Sequence, residues 1–380
     1  MWIEETDNGK FKFRENYKDP YTGTWKPVSV TMEKDNSRAY KAARKILEQK
    51  ITEKIAQLKA SELLFTELLD EWWAFYKKEL KRSSVASLRG NIEEIRETFG
   101  IGVKVVNIDP KYVQNYLDNL DCSRNKKERN KSMLNLAFDY AVGLDIIQDN
   151  PARRAKLPRV KKTLEDWKKA EEKYLEEDEI KPLLKELYRR PSTYRLGLLA
   201  EFISLNGCRI GEAVSIEPCN YESKSRILQL HGTFDHTEGY RNGEKTAPKT
   251  LASYRETIMT SRELEILQEL EFMNELEKNT NHRYRDMGYL FTTKNGVPIQ
   301  TNSFNLALKK ANERLEDPIT KKLTSHIFRH TLISRLAENN VPLKSIMERV
   351  GHADAKTTAQ IYTHVTKKMK SSVADIMENY

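Results

Sequence analysis

The 380-residue sequence contains no run of about 18 apolar residues, so no membrane-spanning helix is expected. Its first ten residues, MWIEETDNGK, lack a basic stretch followed by an apolar one, and no secretory signal is visible. Cysteine is scarce: Cys122, Cys208 and Cys219 are odd in number and far apart. That excludes a disulfide frame or a zinc knuckle and suits reduced thiols in a core. Histidine is scarce too, at seven. No internal repeat or low-complexity tract is present, which excludes a solenoid or a collagen-like rod.

Charge is abundant. Charged residues make up 32% of the chain against 38% hydrophobic, and 65 Lys and Arg against 56 Asp and Glu give a net charge of +9. A basic balance favours a polyanionic partner, of which nucleic acid is the commonest. The length suits two or three domains.

The layout is mainly helical with small β elements, an α+β class. Residues 1 to about 32 alternate as strands around Phe11, Phe13, Val28 and Val30, with turn formers Asp19, Pro20 and Gly23 between them. From Asn36 the spacing becomes helical. This predicts a β3α module over 1–60, with Lys10, Lys12 and Arg14 (and Lys26) as basic candidates for DNA. Residues 61–155 read as an all-helical bundle. Thr66 stands near a possible cap, SSVASLRG opens with cap residues, and Asp109–Pro110 reads as an N-cap followed by proline at the first helical position. The aromatic stripe Trp72, Trp73, Phe75 and Tyr76 reads as core. Arg124, Lys126, Lys127 and Lys131 open one helix as a basic face, solvated or gripping DNA. Residues 151–162 carry six basic side chains, two prolines and no acid. They read as an extended basic segment able to follow a phosphate backbone through Arg153, Arg154 and Lys156, leading into a linker over 156–173. From 174 to 380 amphipathic helices resume, interrupted by strands in RILQLHGTF and YRETIMT around a polar loop.

Four stretches of this last region hold candidate chemistry. NGCRIGEAVSI places Arg209 and Glu212 one helical turn apart; the plain reading is a surface ion pair. A polar loop holds Lys245 and Lys249, followed by Ser253 and Arg255. HIFRH places His326 and His330 four apart, the spacing of a helical metal pair. However, it carries Arg329 where a metal site wants a carboxylate. VGHADAKTTAQIYTHV holds Gly351, His352, Tyr362 and His364.

In this order the four stretches closely resemble the tyrosine recombinase, or phage integrase, family: G-x-R-x-x-E, a hairpin lysine, H-x-x-R, G-H, and a tyrosine about ten residues on. The match runs over about 174–366. The helical bundle resembles the family's core-site-binding domain, and the β3α module resembles the arm-binding domain of integrases from phages and conjugative elements. The resemblance implies a site-specific recombinase that cleaves and rejoins double-stranded DNA through a 3′-phosphotyrosyl link and a Holliday junction. Arg209 and Arg329 would clamp the phosphate and Tyr362 would be the nucleophile. Lys249 would protonate the leaving 5′-oxygen, and is preferred to Lys245 because KTLASYRETI fits the family's K-T-x-x-S-x-R-x-I. His326 would move the tyrosine proton, His352 would donate to the phosphate, and Glu212 would orient Arg209. His330 would be structural. Neither metal nor ATP is implied. The implied partners are a homotetramer on DNA, accessory excisionase and DNA-bending proteins, and a bacterial host's cytoplasm and nucleoid. The tail after Thr366 reads as an amphipathic helix docking on its own domain or on a neighbour. Three rivals share parts of this pattern: a type IB topoisomerase, a metal-dependent nuclease using His326 and His330, and a DNA-binding regulator with a dead catalytic domain.

Overall fold

The computed structural model describes residues 1–19, 23–158, 174–247 and 254–352, without the side chains of 56–61. The chain divides into two units, Met1–Val160 and Lys161–Tyr380.

The first unit begins with three antiparallel strands, β1 (Trp2–Glu5), β2 (Phe11–Lys18) and β3 (Trp25–Met32), in that spatial order. Strand alternation puts Phe13 and Tyr17 on one face with Val28, where they pack on Ala43 and Leu47 of α1 (Ser37–Glu62). Asn36 caps α1 by accepting the Ala39 N–H at 2.8 Å. The opposite face of the sheet is left to polar residues and exposed aromatic ones. Register pairs Trp2 with Arg14, Lys12 with Thr31, Arg14 with Ser29 and Lys18 with Trp25. Lys12, Arg14 and Lys18 therefore share one face with the exposed Trp2 and Trp25. Lys26 lies opposite Tyr17, on the other face, and pairs with Asp19 at 2.7 Å.

The helical part comprises α2 (Phe65–Tyr76), α3 (Arg82–Thr98), α4 (Pro110–Asn119), α5 (Arg124–Gly143) and the single turn α6 (Pro151–Arg154). Phe65, Leu68, Leu69, Ile95, Phe99, Leu134 and Phe138 form its core. Asp109 caps α4 as expected, taking the Tyr112 N–H at 2.7 Å, with Pro110 behind it. The other expected caps move. Thr66 lies inside α2, where the Glu67 carboxylate takes the Leu64 N–H at 3.0 Å, and Lys81 precedes α3, so its serines sit in the first turn. Gly100 ends α3 with φ 66°; a Cβ there would come within 2.9 Å of Phe65. The aromatic stripe divides: Trp72 is buried, but Phe75 is exposed and stacks on Tyr140.

The basic segment after residue 150 is not extended at its start. Asn150 caps α6, and Pro151 and Ala152 are buried. Gln114 then clips the main chain of Lys156 with two hydrogen bonds, of 2.8 and 3.0 Å.

The second unit is built around α8 (Pro191–Asn206), between α7 (Glu177–Tyr188), α10 (Ser261–Thr280), α11 (Thr301–Asn312) and α12 (Ser325–Glu338). Expected as amphipathic, α8 buries residues on nearly all sides, among them Leu198, Leu199, Phe202, Ile203 and Asn206. The short α9 (Ile210–Ala213) follows. The single strand expected in RILQLHGTF is two: β5 (Ile227–Leu230) pairs with β4 (Tyr221–Glu222) and β8 (Arg255–Ile258), whereas β6 (Thr233–Asp235) pairs with β7 (Glu244–Thr246). A final helix, α13 (Leu343–Val350), packs on α12. Among the described residues no helix is long and apolar enough to cross a membrane.

Candidate functional site

The site forms where α8 stops. Gly207 adopts φ 79°, a conformation L residues avoid, and a Cβ there would press on Leu332 and Val350 at 2.7 and 3.0 Å. This turn brings the end of α8 against α12 and α13. It also delivers Arg209 in an extended conformation, as the N-cap residue of α9. The buried Glu212, three residues on, reaches back. It accepts the Arg209 N–H at 2.9 Å with one oxygen and Arg209 Nη1 at 2.9 Å with the other. The surface ion pair of the plain reading is thus a buried carboxylate orienting a half-exposed arginine.

Two more arginines converge there. Arg255 Nη2 on β8 donates to Glu212 at 3.0 Å, and both side chains are buried. Arg329 on α12 is only 2% exposed and donates Nη1 to the Gly207 carbonyl at 2.5 Å. Burial, then Arg209, push the Arg329 guanidinium down to about 9, which leaves it protonated at neutral pH. Burial alone would raise the Glu212 carboxyl, but the Arg255 and Arg209 interactions hold it below the usual range. Among the described residues, three guanidiniums against one carboxylate leave two positive charges unbalanced. Arg329 Nη2 and Arg255 Nη1 are buried with no hydrogen-bond partner among the described residues, which costs about 1–3 kcal/mol for each such donor.

His326 is exposed on the first turn of α12; partial burial, then Arg329 and Arg209, lower its pKa. His352 follows the end of α13, where Gly351 takes φ 70° and both N–H groups donate to the Met347 carbonyl, at 2.8 Å from Gly351 and 3.1 Å from His352. Burial, then Arg329, Arg209, His330 and Arg255, push His352 down to about 4. His330 is half-buried on α12. Among the described residues no three His, Cys, Asp or Glu side chains are grouped to hold a metal ion.

Lys249, Tyr362, His364 and the tail lie outside the described residues. Lys245 is placed, on β7. Its ammonium is engaged by Glu217 at 2.7 Å and Asn220 at 2.8 Å.

Several basic candidates of the first unit have local partners. Arg14 pairs with Glu4 at 2.9 Å, Lys126 with Glu94 at 2.9 Å, Arg153 with Asp139 at 2.9 Å and Arg154 with Asp149 at 2.8 Å. Arg124 holds Glu128 at 2.8 Å and the Pro158 carbonyl. Lys127 reaches the Asp118 carbonyl at 3.5 Å, Lys131 is half-buried on α5, and Lys10 is exposed in the β1–β2 turn.

Two residues escaped the sequence reading. Arg255 was visible in the motif but had no role. It points inward with Thr257 while Ile258 is 71% exposed, an inverted alternation that marks a strand facing a polar site. Arg349, on the last turn of α13, offered no signal beyond lying three residues before His352.

Residues 173–369 match the phage integrase family, and residues 64–120 match that family's N-terminal SAM-like domain. The prophage ps2 probable integrase of Lactococcus lactis subsp. lactis (strain IL1403) is 53% identical over 99% of both chains. Among solved structures, the Tn1549 transposon integrase in complex with a circular intermediate DNA superposes with a TM-score of 0.65 at 16% identity, covering 83% of this chain and 99% of that one. A lambda integrase tetramer bound to a Holliday junction gives a TM-score of 0.57 at 16% identity over 94% of both.

Proposed function

The chain belongs to the phage integrase family and is a site-specific tyrosine recombinase acting on DNA; we propose that the arginine cluster around Glu212 is where it binds the phosphate it cleaves. The observation that carries this is the excess of two positive charges around a buried carboxylate, with one arginine half-exposed. A phosphodiester carries one negative charge, and nucleophilic attack adds a second at phosphorus. Donors fixed in advance lower that barrier without reorganising. Arg209 and Arg329 clamp the non-bridging oxygens, which gives the orphan Nη2 of Arg329 an acceptor. Glu212 keeps Arg209 in its productive rotamer.

In the forward step the Tyr362 oxygen attacks phosphorus, its proton passing toward His326, and the bond to the 5′-oxygen breaks as Lys249 protonates it. This leaves a 3′-phosphotyrosyl link and a free 5′-hydroxyl; rejoining is the reverse. The link keeps the bond energy, so the step needs no ATP. His352, held neutral by burial and by the arginines, donates to a phosphate oxygen. The occupation of Lys245 by Glu217 supports Lys249 as the acid.

The remaining assignments follow the same reading. The open face of the N-terminal sheet meets arm-type DNA, the bundle meets core sites, and a homotetramer exchanges strands through a Holliday junction. Excisionase and DNA-bending proteins set direction, and the tail docks within or between protomers. A nicked suicide substrate made from the ends of the encoding element tests the reaction. Wild type accumulates a covalent protein–DNA adduct and Tyr362→Phe binds without forming one; an adduct with Tyr362→Phe refutes the nucleophile.

A further inference from the structure

The side chains of Arg255 and Arg349 cross. Arg255 Nε on β8 donates to the Arg349 carbonyl at 2.9 Å, an acceptor in the last turn of α13 that the helix itself leaves open. Arg349 Nη1 in turn donates to the Ile258 carbonyl, the end of β8, at 2.5 Å. Its Nη2 reaches the Leu205 carbonyl of α8 at 3.2 Å and the Glu263 carboxylate of α10 at 3.0 and 3.2 Å. Glu263 is fully buried and also takes Asn206 Nδ2 at 3.0 Å. The end of α13 is thus fastened to α8, β8 and α10 by one guanidinium and to Glu212 through another.

His352 hangs directly from that end, since its N–H and that of Gly351 bind the Met347 carbonyl. One unbroken run of contacts therefore leads from Arg209 through Glu212, Arg255 and the Arg349 carbonyl to the turn bearing His352. We infer that Arg255 and Arg349 are positioning residues of the recombinase site, which fix His352 relative to Arg209. The inference rests on the phosphoryl-transfer reading above. Arg349 takes no part in the chemistry. It bonds main-chain carbonyls and Glu263, and acts through His352.

The geometry explains why arginine is needed twice. Only a planar fork reaches a carbonyl with one nitrogen and a carboxylate with another. A lysine at 349 keeps the charge beside Glu263 but cannot also hold Ile258 and Leu205.

The test uses the full chain and single-turnover cleavage of the suicide substrate, with melting temperature and gel-shift affinity as folding controls. Arg349→Met is combined with Glu263→Gln so that no buried charge is stranded, and glutamine still offers an acceptor to Asn206. The pair of changes should slow cleavage about 100-fold, the cost of misplacing a catalytic group by about 1 Å. His352→Ala alone should slow it as well, and adding the pair to His352→Ala should cost little more, because both act through the same group. A merely structural role predicts losses that multiply. Multiplicative losses, or cleavage by the pair within about twofold of wild type, overturn the inference. Should the pair melt below the assay temperature, Arg349→Lys carries the same expectation. No adduct from wild type itself would sink the underlying reading, an outcome distinct from any comparison among variants.

Discussion

Two basic groups in the same unit are treated in opposite ways. Lys245 has one carboxylate, Glu217, and one amide oxygen, and its charge is balanced within the fold. Among the described residues, Arg209, Arg255 and Arg329 gather around one carboxylate, Glu212, and two donor atoms of the cluster have no acceptor. Both arrangements cost desolvation, but only the first is compensated locally. A balanced pair is architecture, whereas an unbalanced cluster stores an affinity for an anion that arrives later. By this criterion Lys245 holds the β6–β7 hairpin, and Arg209 and Arg329 hold substrate.

The largest effect should come from the cluster. Arg209→Lys removes a forked donor while keeping charge, and should lower single-turnover cleavage by about 10²–10³-fold with DNA binding little changed. Near-normal cleavage would make the cluster architectural after all. The open sheet face extends the comparison, because Lys12 and Arg14 stand there beside one carboxylate, Glu4, which Arg14 engages. Lys12→Ala should reduce the slope of log affinity against log salt by about 1 on arm-type DNA and leave core-site binding unchanged. An unchanged slope on arm DNA would count against that face.

Lys245→Met should behave as the loss of an internal pair, destabilising the protein by about 1–2 kcal/mol in denaturant titrations. Cleavage should stay within about twofold; a cleavage defect far beyond the stability loss would make Lys245, rather than Lys249, the acid. The smallest effect concerns pH. Folded His352 gains its proton only near 4, whereas an unfolded histidine gains it near 6.5. Stability from this group is therefore complete above pH 6.5 and erodes as the pH falls toward 4. His326 shifts in the same direction. Denaturation midpoints at pH 7 and 5 should fall further apart in wild type than in His352→Gln; equal differences would show that His352 is not desolvated.

The polar positions of the site were legible because their spacing follows backbone geometry. Arg209 and Glu212 were legible as a pair from their spacing of three, while the left-handed turn at Gly207 and the cap position of Arg209, which aim them, were not. Strand alternation likewise revealed the inner face of the N-terminal sheet. What stayed hidden depends on contacts distant in sequence. Arg349 meets Ile258 and Leu205 across 91 and 144 residues. α8, expected as amphipathic, is buried on nearly all sides by elements remote in sequence, and β7 read as loop because its residues Glu244, Lys245 and Thr246 are all polar. Cap residues misled where a glutamate in the first turn, Glu67, served instead.

The central claim is that unbalanced arginines serve the charge that develops on the phosphate. The most direct measurement replaces the scissile phosphate with a neutral methylphosphonate and compares Arg329→Ala with wild type on both substrates. With the charge removed, the penalty for losing Arg329 should shrink by about tenfold or more relative to the phosphate substrate. An equal penalty on both would contradict the account and make Arg329 a structural residue.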